Sequence, residues 1–206
     1  MGGYMAKRDS SLDLKIENAA RSEFLQLGYE KASLHEIARK AGVTTGALYT
    51  RYDGKDGLFQ SLLKGMFAEV VDNETEGAEL YGKAEEHKDI ELIVEAIRKE
   101  GEIYRRLLYS HYDECRLLVC RSHGSKVALM LSESLERKAY QTSEFFERLA
   151  GKPIDRDSIT IILMSQFEQF RCILDRNWPV EKALSALKTA EIYQEAGWRA
   201  LFEMIM

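Results

Sequence analysis

Four side chains invite a metal or redox reading: His111, Cys115, Cys120 and His123. On a helix His111 and Cys115, four apart, would share a face, whereas Cys115 and Cys120 are separated by about 500° of rotation and would point apart. Gly124 would let the chain fold His123 back. Zinc needs N and S donors that converge, and thiols packed as small hydrophobes are the simpler expectation here. His35 and Glu36 open like the zinc-peptidase pattern H-E-x-x-H, but the fifth residue is Arg39. No G-x-S-x-G, P-loop or G-x-G-x-x-G occurs, and there are only four histidines. These patterns assign no catalytic residue, metal ligand or cofactor, and an enzyme is not expected.

A different chemistry, recognition of a polyanion, is written in GVTTGALYTRYDGKDGLF, residues 42 to 59. Thr44 is placed to cap a helix, with Val43 and Leu48 as the apolar pair that fixes its entry angle. The first turn of that helix carries no acid, although a carboxylate there would suit the helix dipole. An unfilled helix end can receive a phosphate, and the small residues Thr45, Gly46 and Ala47 would let backbone approach a groove floor. With Leu48 and Tyr52 turned to the core, Thr45, Tyr49 and Thr50 point outward. Threonine there can touch a base edge, and tyrosine can reach a phosphate. Arg51 and Lys55 flank this surface as phosphate clamps, each adding to the salt dependence of binding.

The elements that must position these residues follow from periodicity. Ile16, Ala20, Phe24 and Leu27 recur at helical spacing and predict a helix from about Leu12 to Leu27, ended by Gly28. Ser33 and Glu36 form the S-x-x-E capping box of a second helix, with Ala32 and Ile37 as its staple. Ala41, Gly42 and Val43 make a tight glycine turn, so the second and third helices form a helix-turn-helix pattern. Asp53 and Gly54 make a turn, and a long helix starts near Asp56 with the stripe Leu58, Phe59, Leu62, Leu63 and Met66. Gly57, in its first turn, is expected to loosen that junction. The polar stretch from Asn73 to Asp89 reads as a frayed helix end and a connection. Further helical patterns run over about 90–109, 113–121, 125–149, 155–174 and from Pro179 onward. The fold class is therefore all-α, with about nine helices.

The run Ile16, Ala20, Phe24, Gly28, Tyr29, Ser33, Ile37, Ala38, Ala41, Gly42, Val43, Thr44, Gly46, Leu48, Tyr49, Tyr52, Lys55, Asp56 and Leu58 resembles the DNA-binding domain of the tetracycline-repressor (TetR) family. That family usually has histidine and phenylalanine where this chain has Arg51 and Tyr52, substitutions that keep a cation and an aromatic. The resemblance implies an N-terminal three-helix DNA-binding domain over residues 1–55 and a larger helical effector-binding and dimerisation domain over 56–206. It places His35, Thr44, Thr45, Gly46, Ala47, Tyr49 and Thr50 on base- or backbone-contacting positions of double-stranded DNA, and Arg51 and Lys55 on phosphate positions. It also implies a homodimer paired through the last two helices and a small-molecule effector enclosed by the helices before them. Ile159, Ile162, Leu163, Gln166, Phe170 and Ile173, with Leu184, Leu187, Ile192, Trp198 and Phe202, are candidates for that seam, or equally for intramolecular core. The short reading helix itself argues for two copies on a palindrome. For the effector, Tyr104, Tyr109, Tyr112, Phe145, Phe146, Met164, Phe167 and Phe170 combine apolar area with a few hydroxyls.

Composition agrees with a soluble regulator. The chain of 206 residues has 45% hydrophobic and 31% charged residues and two prolines, and its net charge of −5 excludes indiscriminate polyanion binding by the whole surface. The charge is uneven: residues 1–60 hold nine Lys/Arg against eight Asp/Glu, the remainder 20 against 26. The three cysteines, an odd count, fit reduced thiols. The apolar stretch Ile159–Met164 is too short for a membrane span. The N-terminus has no secretory pattern, Met1 to Tyr4 read as an appendage ahead of a natural start at Met5, and a cytoplasmic location is expected. A helical metal- or redox-binding protein, or an enzyme that keeps the three-helix unit for packing only, is the alternative.

Overall fold

The computed structural model of the chain describes residues 10–205, apart from the side chains of residues 71–78; the reading of Met1 to Met5 lies outside them. The described residues form nine helices: α1 Ser10–Lys31, α2 Leu34–Ala41, α3 Thr45–Arg51, α4 Gly54–His87, α5 Ile90–Ser110, α6 Tyr112–Cys120, α7 Lys126–Ala150, α8 Arg156–Asp175 and α9 Val180–Ile205. Among the described residues no helix is long and apolar enough to cross a membrane.

Helix starts follow local chemistry. The side chains of Thr44, Asp89, Ser125 and Asp155 each accept a backbone amide of the first turn that follows them. α2 departs from this rule. Ser33 has the extended N-cap conformation but makes no side-chain cap bond. The carboxylate of Glu36 is taken instead by Arg39 Nε at 2.9 Å, so the predicted capping box does not close. Gly28 does not end α1 outright. It kinks the helix at φ 76°, ψ 166°, and one more turn follows to Lys31.

Two further expectations change. α4 does not fray after Asn73 but runs on to His87, with Lys88 as a left-handed C-cap. Its distal turns are held by packing that the polar sequence conceals: Ala84 is fully buried, and the Tyr81 ring meets Phe145 edge-on at 5.4 Å. Gly57 is a close-packing residue: a Cβ there would lie 3.2 Å from Asp53 Cβ, so glycine lets the turn fold tightly against α4.

Two apolar clusters organise the molecule. The larger joins Ile16, Ala20 and Phe24 of α1, Ile37 and Leu48 of the helix-turn-helix, and Leu58, Phe59 and Leu63 of α4 to Leu108, Leu117, Leu174 and Leu187 of the body. The second gathers Ala84, Ile93, Phe145, Phe146, Leu149, Ile159, Trp198 and Phe202 at the far end. Its centre is aromatic, with Phe146 stacked on Phe202 at 4.8 Å and 10°. Five candidates for an intermolecular seam, Ile159, Ile173, Leu187, Trp198 and Phe202, are buried inside the chain. The outward faces of α8 and α9 expose Ile161, Ile192, Tyr193 and Met204.

Candidate nucleic-acid interface

α2 and α3 meet across the turn at Gly42, whose φ of 70° closes α2 with amide bonds to Ala38 and Arg39. Val43 N then donates to Ala38 O at 3.0 Å, and the chain leaves into α3. Leu48 is fully buried and Val43 packs against the same core, so the apolar pair sets the angle of α3. Thr44 Oγ1 accepts Ala47 N at 3.1 Å. The earlier amides of the turn, at Thr45 and Gly46, have no carbonyl within the helix to bond, and no acid occupies that turn.

Burial sorts the expected contacts. His35, Thr44, Gly46, Tyr49 and Thr50 are exposed, and Thr45 and Ala47 are partly so. His35 stands in the first turn of α2, and the others are the N-cap and residues of α3. Tyr49 is the large aromatic of this face, with 59% of its surface accessible. Thr50 Oγ1 donates to Gly46 O at 2.9 Å, which leaves its oxygen lone pairs and methyl group to an incoming duplex.

The cations do not stand out from this face as the spacing suggested. Arg51 turns inward, donating from Nε to Asp13 Oδ1 at 3.0 Å, with both side chains mostly covered. Lys55 donates to Glu30 O at 3.0 Å and lies 4.6 Å over the Tyr29 ring, and burial lowers its pKa. Lys40 pairs at 2.6 Å with Glu23, which is buried. Two acids of α1, Asp13 and Glu23, thus hold cations of the helix-turn-helix, and a backbone carbonyl of α1 holds Lys55. A third acid of α1, Glu17, accepts the Tyr52 hydroxyl at 3.3 Å. Asp13, Glu17 and Glu23 read in the sequence as an ordinary solvated face of α1; the signal was their i, i+4 and i, i+10 spacing beside Ile16, Ala20 and Phe24, which puts them on the flank of the buried stripe.

The joint to the body is also polar. Tyr29 N donates to Arg121 O at 2.8 Å across the Gly28 kink, Arg121 Nε donates to Leu25 O, and Arg21 pairs with Glu114 at 2.7 Å. Asp56 of α4 accepts Lys126 N at 3.0 Å at the start of α7. Tyr29, half-buried beside Asp56, has the pKa of its hydroxyl pushed up to about 12, first by that burial and then by the carboxylate.

The candidates in the body spread over several places. The rings of Tyr104 and Phe170 meet at 5.8 Å where α5 faces α8. Phe145 belongs to the distal aromatic cluster, and the Tyr112 hydroxyl donates to Trp178 O at 2.8 Å. Met164 and Phe167 are partly buried on α8. Tyr109 is exposed on an open groove of about 530 Å³ shared with Arg105, Arg106, Leu184, Ser185 and Lys188. The four metal or redox candidates have four separate surroundings. His111 Nε2 lies 2.9 Å from Glu69, Cys115 Sγ faces Met66 Sδ, Cys120 Sγ faces Arg171 O, and His123 is exposed. Burial pushes the thiol pKa values of Cys115 and Cys120 up to about 12 and about 11, so both are protonated thiols at neutral pH.

Comparison with known proteins bears on the same residues. Residues 16–62 match the bacterial regulatory proteins of the tetR family. The chain is 40% identical over 65 residues to the A-factor receptor protein of Streptomyces griseus, covering 32% of this chain and 23% of that protein. It is 45% identical over 49 residues to the HTH-type transcriptional regulator SrpR of Pseudomonas putida, covering 24% and 23%. It therefore spans about a quarter of the length of these relatives. Over nearly its whole length the fold resembles a TetR-like transcriptional regulator from Rhodococcus sp. RHA1, with a TM-score of 0.57, 19% identity, and 95% and 98% of the two chains covered. A second likeness is to native NalD, the secondary repressor of the MexAB-OprM multidrug efflux pump in Pseudomonas aeruginosa, with a TM-score of 0.51, 18% identity, and 90% and 98% covered. At these identities the structural likeness is one of fold. The chain thus carries a helix-turn-helix segment similar to that of the tetR family of bacterial regulatory proteins, set in an all-helical fold like that of TetR-like regulators.

Proposed function

We propose that this chain is a ligand-responsive transcriptional repressor whose homodimer binds a palindromic double-stranded DNA operator and is released by a small-molecule effector. Residues 1–55 form the DNA-binding unit and 56–206 the effector-binding and dimerisation unit. The observation that carries this reading is the outer face of α3. Thr44, Gly46, Tyr49 and Thr50 are exposed there on the second helix of a helix-turn-helix, with no acid in the first turn. The segment similar to the tetR family, residues 16–62, contains this helix. Base edges meet Thr45, Gly46, Ala47 and Thr50, while His35, Thr44, Tyr49 and Lys55 meet backbone, Lys55 by leaving Glu30 O for a phosphate. Two copies pair through the exposed apolar side chains of α8 and α9. The effector enters the body near the Tyr104–Phe170 ring pair. Effector and operator then oppose one another through a coupling of about 1–3 kcal/mol.

Selection of bound fragments from random DNA, followed by fluorescence anisotropy on the recovered duplex, tests the reading. Sequence-selective, salt-sensitive binding that collapses in Tyr49→Ala and Lys55→Ala is expected. Indifference to sequence would leave the three-helix unit as packing only and return the alternative of a metal-binding protein or enzyme.

A further inference from the structure

α3 is seven residues long and buries one of them, Leu48. Leu48 and the C-cap Tyr52 lie one turn apart on a single line, and apolar packing along one line opposes a small rotation of a two-turn helix about its own axis less than packing on two faces would; such a rotation would carry Thr45, Tyr49 and Thr50 out of register with a groove. A polar restraint comes from α1. Asp13 and Glu17, one turn apart, both reach the C-terminal end of α3. Asp13 accepts Arg51 Nε at 3.0 Å, the two side chains being 18% and 19% exposed. Glu17 accepts the hydroxyl of Tyr52, the buried C-cap, at 3.3 Å. An arginine that left Asp13 for a DNA phosphate would give up a largely covered ion pair and leave its carboxylate facing a polyanion.

We propose that Arg51 is a positioning residue and not a phosphate clamp: Asp13 holds it against α1, and the pair fixes the rotation of the reading helix. The inference rests on the DNA-binding reading of α3. The two roles differ in an observable, because each phosphate neutralised adds about 0.9 to the slope of log affinity against log salt.

Full-length wild-type protein, Arg51→Gln, Arg51→Lys, Asp13→Ala and the double variant Asp13→Ala/Arg51→Gln are titrated at several salt concentrations. The probes are the duplex selected from random DNA by the wild type and a scrambled duplex of equal composition. Arg51→Gln and Asp13→Ala each lower the preference for the selected duplex about tenfold, as expected for a charge-assisted hydrogen bond. The double variant is no worse than either single one, and every slope stays at the wild-type value. Arg51→Lys, which keeps the ion pair, retains more of the preference than Arg51→Gln, and circular dichroism confirms that each variant is folded at the assay temperature. A slope lowered by about 0.9 per protomer in Arg51→Gln, or a gain of affinity in Asp13→Ala, makes Arg51 a clamp and overturns the inference. A variant found unfolded also overturns it, since the pair would then hold the domain together and not the register of α3. A wild-type protein that selects no duplex refutes the DNA-binding reading, and the inference with it.

Discussion

Gly28→Ala is predicted to destabilise the protein although the added methyl group meets no obstacle. A Cβ at Gly28 would lie 3.8 Å from Arg121 O, an ordinary contact. The cost is in the backbone: φ 76°, ψ 166° falls in a region that is essentially glycine-only, and holding alanine there costs about 1–3 kcal/mol. The chain can escape the strain only by straightening the kink. That breaks the 2.8 Å bond from Tyr29 N to Arg121 O and moves the Tyr29 ring off Phe24 and Phe59. A hydrogen bond of this kind contributes about 1 kcal/mol before the aromatic repacking is counted, so relaxation is no cheaper than strain. For a chain of this size each kcal/mol moves the midpoint by about 2–4 °C, giving a fall in Tm of about 2–12 °C. Gly82→Ala is the internal control. Gly82 sits within α4, and a methyl group added there would have nothing within 4 Å, so alanine should stabilise by about 0.5–1 kcal/mol and raise Tm. The assay is thermal unfolding followed by far-UV circular dichroism. Equal Tm values for Gly28→Ala and Gly82→Ala would refute the reasoning, since the same chemical change is expected to act with opposite sign at the two sites.

Thr44→Ala removes the cap on Ala47 N and should cost about 0.5–2 kcal/mol, read as a lower Tm together with weaker binding to the selected duplex. Phe146→Ala empties the centre of the distal aromatic cluster and should cost about 3–5 kcal/mol, lowering the urea midpoint at unchanged m-value. Glu191 is a carboxyl whose pKa burial raises above the ordinary 4.5 despite its pairing with Arg105, and its Oε1 is buried without a partner. A raised pKa means that the folded state favours the protonated acid: the stability this contributes is present below about 4.5 and lost as pH rises through the higher folded value. Glu191→Gln, which cannot ionise, should therefore gain in stability relative to wild type between acidic and neutral pH, and a constant difference in denaturation midpoints across that range would contradict the assignment.

Helix positions were legible because they depend on neighbours in the chain. Ile16, Ala20 and Phe24 recur at the helical period and are fully buried, and Thr44 caps α3 through an amide three residues away. The end of α4 was not legible: the stretch from Asn73 to Asp89 is polar, and what keeps it helical is Tyr81 against Phe145 and the burial of Ala84, from partners far along the chain. The capping box at Ser33 failed for a related reason. Two acceptable partners competed for Glu36, and Arg39 won.

Sequence alone settled the all-helical class, the helix-turn-helix and the acid-free first turn of α3, since each rests on interactions reaching at most a turn or two along the backbone. Only the tertiary structure decided which cations face outward, which aromatic side chains share a neighbourhood and which apolar residues of α8 and α9 remain uncovered. Those outcomes depend on pairs such as Arg51 with Asp13 and Tyr104 with Phe170, separated by 38 residues in the first case and brought together by packing that no local pattern encodes.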